Sequence, residues 1–335
     1  MRRAGAVCAT VITLGLALPA LTAAQRAGTV HRIGFLYFSA PPTTATSTQY
    51  ALKRALEEGL RDFGYEDGRN CIFEYRWADL DPARIPTLAV DLVRANVHVI
   101  VTTGDGEVRA AKTATGTIPI VMAVSGDPVG AGYVASLARP GGNVTGMSYT
   151  SPDANVKLLS LFKETVPALG RVAVVWNAAN PVKQLDLTNT EQAARRLGLA
   201  VHSVPVRSLR DVDTGLAAIG RSSGLGIVTL VDEVMNQEPY RRAVLEFATR
   251  YRLPVVAADY RHVDDGALLS YGPSLLAMFR RVGFFVDKIL KGASPATLPV
   301  EQPRQFELVL NRKTAALLGV TIPPSVRLQA DRVIE

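Results

Sequence analysis

The chain has 335 residues, of which 48% are apolar and 20% charged, with 37 basic residues against 30 acidic and two cysteines. That balance excludes a disordered or fibrous polymer and a disulfide scaffold. The net charge of +7 is spread over pairs such as Arg195-Arg196, Arg241-Arg242 and Arg280-Arg281 on predicted helices, which reads as a solvated surface and argues against a nucleic-acid partner.

Arg2 and Arg3 precede an apolar run from Ala4 to about Leu21, and Thr22-Ala23-Ala24 then lead into Gln25. A positive start, an apolar middle and small residues before a cleavage point predict a signal peptide over 1–24 and an exported chain. An uncleaved membrane anchor is the competing reading, opposed by the Ala, Thr, Gly and Cys that dilute the run. Cys8 leaves with the leader, so Cys71 stands alone and no internal disulfide is available. At the head of the apolar string Cys71-Ile72-Phe73-Glu74-Tyr75 it suits the role of a small buried hydrophobe.

After Gln25 short β-branched runs alternate with amphipathic segments. A first strand is predicted over 32–38. Leu52, Ala55, Leu56, Leu60 and Phe63 then share one helical face that Gly64 can end. Further strands are predicted over 72–77, 97–103, 119–124, 172–176, 199–204, 226–231, 254–258 and 267–271. Strand, helix, strand, with nearly continuous apolar strands, implies parallel sheets covered on both faces: an α/β protein.

A weak internal repeat adds to this. Val99-Ile100-Val101-Thr102-Thr103-Gly104-Asp105, a helix and Ile118-Pro119-Ile120-Val121 are echoed by Gly226-Ile227-Val228-Thr229-Leu230-Val231-Asp232, a helix and Leu253-Pro254-Val255-Val256. Each unit ends in an acidic loop, at Asp127 and Asp259. The repeat predicts two similar doubly wound parallel-sheet lobes joined by a hinge. Open sheets of this kind bind ligands beyond the carboxyl ends of their strands, so two facing edges would make a closing cleft. Lobe boundaries are expected near 146–151 and 271–273, with the Pro-rich tail crossing once more. This gives an N-terminal lobe of 30–147 plus about 272–298 and a C-terminal lobe of 148–271 plus about 299–335.

Catalytic and cofactor motifs fail on context. Gly220-Arg221-Ser222-Ser223-Gly224 fits G-x-S-x-G, but it lies between a helix and a strand, where a nucleophile elbow runs strand to helix. Gly130-Ala131-Gly132-Tyr133-Val134-Ala135 fits a dinucleotide fingerprint, but Ser125-Gly126-Asp127-Pro128 separates it from its strand and Asp127 would repel a pyrophosphate. His31, His98, His202 and His262 have no metal-ligand spacing. With no nucleophile, base and orienter in view, the expectation is a binding protein without cofactor or metal.

Specific strings carry a family resemblance. Gly126-Asp127-Pro128-Val129 and Arg139-Pro140-Gly141-Gly142-Asn143-Val144-Thr145-Gly146 resemble the substrate-binding proteins of a bacterial ABC-transporter family with the type I periplasmic binding fold. So do Gly64-Tyr65, Gly68-Arg69-Asn70, Glu74-Tyr75-Arg76-Trp77-Ala78, Ser270-Tyr271-Gly272, the string Phe306-Glu307-Leu308-Val309-Leu310-Asn311 up to Gly319, and Ile322-Pro323-Pro324-Ser325. Where family members often have a Gly-Gly-Ser/Thr turn, this chain has Gly104-Asp105-Gly106-Glu107-Val108-Arg109, which adds charge at the edge of the expected cleft. The resemblance implies capture of a small molecule, an amino acid or similar, in the periplasm and delivery to an inner-membrane ABC permease with a cytoplasmic ATPase. Some relatives are associated with aromatic amino acids. An exported α/β enzyme and a binding protein feeding a signalling receptor are the alternatives.

On that reading the loops after the strands supply the ligand contacts. The first lobe offers Ser39, Thr103, Gly104, Asp105, Ser125 and Asp127, the second Asn177, Asn180, Asp232 and Asp259. Tyr149 and Tyr271 stand at the crossings. Asp105 and Asp259 are the preferred partners of a ligand ammonium. For Asp127 and Asp232 helix capping competes.

Overall fold

The computed structural model describes residues 30–335 except Thr46, Thr150, Ser151, 220–223 and Val231. The leader predicted over 1–24 and the G-x-S-x-G match at 220–224, apart from Gly224, lie outside the described residues. No described helix is long and apolar enough to cross a membrane.

The first half runs β1 (His31–Tyr37), α1 (Thr48–Arg61), β2 (Cys71–Trp77), α2 (Ile85–Arg94), β3 (Val99–Thr102), α3 (Asp105–Ala114), β4 (Ile120–Met122) and β5 (Val144–Gly146). These strands form one sheet in the order β2-β1-β3-β4-β5, parallel throughout. All four residues of β3 are buried, as an apolar β-branched run in a doubly covered sheet must be. The second half runs α4 (Pro152–Thr165), β6 (Arg171–Asn177), α5 (Val182–Arg196), β7 (Ala200–Val206), α6 (Leu209–Ile219), β8 (Leu225–Thr229), α7 (Glu238–Tyr251), β9 (Val255–Ala257), α8 (Arg261–Asp264) and β10 (Leu269–Pro273). Then come α9 (Leu275–Leu290), β11 (Phe306–Asn311), α10 (Arg312–Leu318), α11 (Pro324–Arg327) and β12 (Arg332–Ile334).

The second sheet has the order β12-β11-β10-β9-β8-β6-β7. Its portion β7-β6-β8-β9-β10 repeats the strand order of the first sheet, and the repeat seen in the sequence falls on equivalent positions, β3 to β4 and β8 to β9. One pairing departs from the parallel expectation. β11 runs antiparallel to β10, with Tyr271 opposite Leu308. The chain reaches β11 from α9 on the other lobe and therefore enters the second sheet from the opposite end.

Each sheet is covered on both faces by an apolar cluster. On the first, Phe35 and Val101 pack under α1 and α9, while Ile100 and Met122 pack under α2 and α3. On the second, Val174 and Val228 face α4 and α5, while Val175 and Ile227 face α6 and α7. α9, reached after the whole second parallel series, thus contributes Met278, Phe279, Val282 and Phe285 to the core beside the first sheet. The chain leaves the first sheet after Gly146, returns to its core with α9 after Ser274, and re-enters the second sheet with β11. These passages lie side by side: Ser148 N donates to Glu301 O at 2.9 Å, and Ser274 N to Gln305 O at 2.9 Å.

Candidate functional site

In both sheets the strand order reverses between the first and third strands, β1 with β3 and β6 with β8. The carboxyl ends of these strands face each other across the gap between the lobes. A cavity of about 580 Å³ lies there, within the roughly 300–1,000 Å³ range of small-molecule sites. Its first-lobe wall comes from the ends of β1, β3 and β4, and its second-lobe wall from the loops after β8 and β9 and the start of α5. Leu52 of α1, Leu275 and Phe279 of α9, and Phe38 give it an apolar side.

Of the residues expected from the sequence, Ser39, Thr103, Gly104, Asp105, Ser125, Tyr149, Asn180, Asp232 and Asp259 lie on this wall. Asn177 stands behind it, its Nδ2 donating to Asp232 Oδ2 at 2.6 Å. Asp127 is turned into its own loop, where Oδ1 accepts from Val129 N at 3.2 Å and Gly130 N at 2.9 Å. It borders a separate depression with Arg109 and Lys112. Tyr271 stacks on Phe306 at 5.7 Å, away from the cavity.

The two preferred ammonium partners already have partners of their own. Asp105 Oδ1 accepts from Ser125 Oγ at 2.7 Å and from Gly126 N at 3.1 Å. Burial raises its carboxyl, against the pull of Lys183 and these hydrogen bonds. Asp259 takes Arg261 in a fork, Oδ1 from Nε at 2.8 Å and Oδ2 from Nη2 at 2.5 Å, and Asn236 Nδ2 also donates to it at 3.2 Å. Asp232 caps its own loop, accepting from Val234 N at 3.0 Å and Met235 N at 2.8 Å. The hydroxyl of Tyr149 donates to Ala258 O at 3.2 Å, while Tyr149 N donates to Ser125 O at 2.6 Å, so this residue ties the two lobes together.

Several wall residues were not singled out from the sequence: Glu107, Lys183, Glu233, Asn236 and Arg261. Lys183 is buried and donates to Asp186 at 2.7 Å. Burial would depress its ammonium, but Asp186, Asp232 and Asp105 outweigh that and raise it. Glu107 is fully buried, and its Oε1 accepts from Phe38 N at 2.9 Å and Thr103 Oγ1 at 2.8 Å. Glu233 reaches across from the second lobe so closely that a Cβ on Gly104 would collide with its carboxyl. Burial raises both carboxyls, and the negative charges of Glu107, Asp105 and Asp232 raise Glu233 further. Carboxyls that influence each other across the cleft in this way need a proton or a cation between them. The signal for this pair was the charge added in Gly104-Asp105-Gly106-Glu107, which marks the cleft edge without naming the partner.

A family model described as ABC transporter substrate binding protein matches residues 45–334. The chain belongs to that family. This substrate-binding protein is 26% identical over 282 residues to a tyrosine-binding protein of Clostridioides difficile (strain R20291), covering 84% of this chain and 79% of the relative. Its fold matches that of a conserved domain protein from Vibrio cholerae with a TM-score of 0.83 and 29% identity, over 91% of this chain and 99% of the other. An ABC domain from Streptococcus pneumonia solved in complex with L-Trp also matches the substrate-binding protein with a TM-score of 0.83, at 24% identity over 91% of this chain and 100% of the other.

Proposed function

We propose that this protein is the extracytoplasmic solute-binding component of an ABC importer. It captures a small molecule between its lobes, closes over it by rotation at the three crossings, and delivers it to an inner-membrane permease powered by a cytoplasmic ATPase. The observation that carries the reading is the cavity of about 580 Å³ whose wall is drawn from the strand ends of both lobes. A ligand touching both halves binds the closed arrangement better than the open one, and that difference in affinity drives closure. An apolar side next to carboxylates and amides suits an amphipathic solute. Relatives named for tyrosine binding or solved with L-Trp support an amino acid or a similar molecule as the cargo class. The leader predicted over 1–24 supports a periplasmic location.

A thermal-shift panel of amino acids, amines, nucleosides, sugars and small carboxylates tests the proposal. A ligand at about 100 times its Kd adds about 2.7 kcal/mol of stability. A clear shift from a solute recovered chemically unchanged supports capture and release. A solute consumed during incubation would establish turnover instead, and silence across all classes would count against solute binding.

A further inference from the structure

The polar atoms left without partners on the cavity wall share one character. Among the described residues these are Tyr37 Oη, Glu107 Oε2, Glu233 Oε1 and Asn236 Oδ1, each buried. Three are acceptors, and Asn236 is oriented by its Nδ2, which donates to Asp259. The Tyr37 hydroxyl can serve either way. None of the four is an N–H donor.

The cations of the wall are already engaged. Arg261 is held by Asp259, Lys183 by Asp186 at 2.7 Å, and Arg241 by Asp265 at 2.6 Å. Glu107 and Glu233 therefore face each other from opposite lobes without a basic partner among the described residues. Two carboxyls buried in this way are stable only with a proton or a cation between them.

We propose that Glu107 and Glu233 form a cation subsite, and that the cargo is an organic cation, a protonated amine on an apolar or aromatic body, with a carboxylate dispensable. The inference rests on the solute-binding reading and deepens it. An ammonium brings three donors and no acceptor, which suits Glu107 Oε2 and Glu233 Oε1, and Asn236 Oδ1 is a further unpartnered acceptor on the same wall. The apolar body then lies toward Phe38, Leu52, Leu275 and Phe279. Without a bound cation, a shared proton takes its place. The ammonium displaces that proton to solvent and leaves both carboxylates ionised around it. Asp105 and Tyr133 on the first-lobe side and Asp232 on the second face the same pair. The two acids among them add to the negative field that favours a cation.

Four ligands with one phenol ring separate the charges: tyramine, tyrosine, 3-(4-hydroxyphenyl)propionate and 4-ethylphenol. They are titrated calorimetrically into the purified protein near neutral pH in two buffers of different ionisation enthalpy, beside the thermal-shift panel. Tyramine and tyrosine bind, with proton release, and the two ligands lacking an ammonium bind about tenfold weaker or worse. Glu233→Gln keeps a donor toward Glu107, so the fold survives, but it weakens tyramine about tenfold or more and abolishes the proton release. Equal binding by the propionate or the phenol, or tyramine affinity unchanged in Glu233→Gln, would overturn the subsite. Shifts from sugars or carboxylates with none from any amine would overturn it while leaving solute binding in place. A wholly silent panel would count against both.

Discussion

Asp259 and His262 sit three residues apart, both buried, and respond to acid for opposite reasons. Burial alone would raise the Asp259 carboxyl, but the charge and hydrogen bonds of Arg261 hold it at about 2. Its contribution is complete above the unfolded value near 3.8 and is lost as the pH falls toward 2. Asp259→Ala strands the Arg261 guanidinium in the interior, and unfolding in urea near neutral pH should show a loss of about 3–5 kcal/mol. His262 is fully buried, neither ring nitrogen has a partner, and burial lowers it to about 4. The folded protein keeps it neutral while the unfolded chain takes up a proton below 6.5, so stability declines as the pH falls from 6.5 toward 4, by about 3 kcal/mol in all. Urea unfolding of His262→Phe at about pH 7.5 and about pH 4.5 should show that decline largely removed. The sequence put Asp105, Asp232 and Asp259 at strand ends, and they are on the cavity wall. It did not show which acids are neutralised internally, because Arg261 folds back onto Asp259 only through the turn into α8. Glu107 is faced by a Glu233 that arrives from more than a hundred residues away.

At the scale of elements, α1 and α9 cross backbone to backbone. A Cβ on Gly59 would strike the Arg280 carbonyl, and one on Gly283 would strike the carbonyl of Gly59. Gly283→Ala therefore pushes apart two helices that together cover Phe35 and Val101 of the first sheet, an overpacking worth about 1–3 kcal/mol. A fall in melting temperature, with the response to added amine otherwise intact, checks it. The face of α1 was legible from Leu52, Ala55, Leu56 and Leu60, but its partner was not, since no local pattern relates residues 48–61 to 275–290. The longer strands were legible to within a few residues because most are largely apolar runs set off by helix and turn signals. β5 was missed because Val144–Gly146 is three residues long and sits inside the Pro-Gly-Gly-Asn-Val-Thr-Gly string. β11 was read as a family string, and β12 as part of the tail. Both lie at one end of the second sheet, β12 at its edge and β11 between it and β10, and their pairing depends on the route of the chain after α9.

At the scale of the whole molecule, two lobes of the same strand order bring a pair of acids together across the cleft. Glu107 and Glu233 are raised above the ordinary carboxylate range, so the closed contact is stable at low pH and weakens as the pH rises through their titration and the two charges repel. Small-angle scattering of the ligand-free protein should show the radius of gyration growing over that rise. Glu233→Gln should remove the growth, and a wild-type radius that stays constant from acid to alkaline pH would contradict it. The repeat of strand order was legible in the echo of Val99–Thr102 and its neighbours by Leu225–Thr229 and theirs. The third passage of the chain between the lobes also governs how the protein can be made. Because α9 seals the first sheet and β11 and β12 extend the second, neither lobe is a continuous stretch of polypeptide. A ribosome delivers residues 30–147 long before the helix that covers Phe35 and Val101, and β11 and β12 of the second sheet come later than that helix. Both lobes must therefore wait for residues 275–334 before they finish folding.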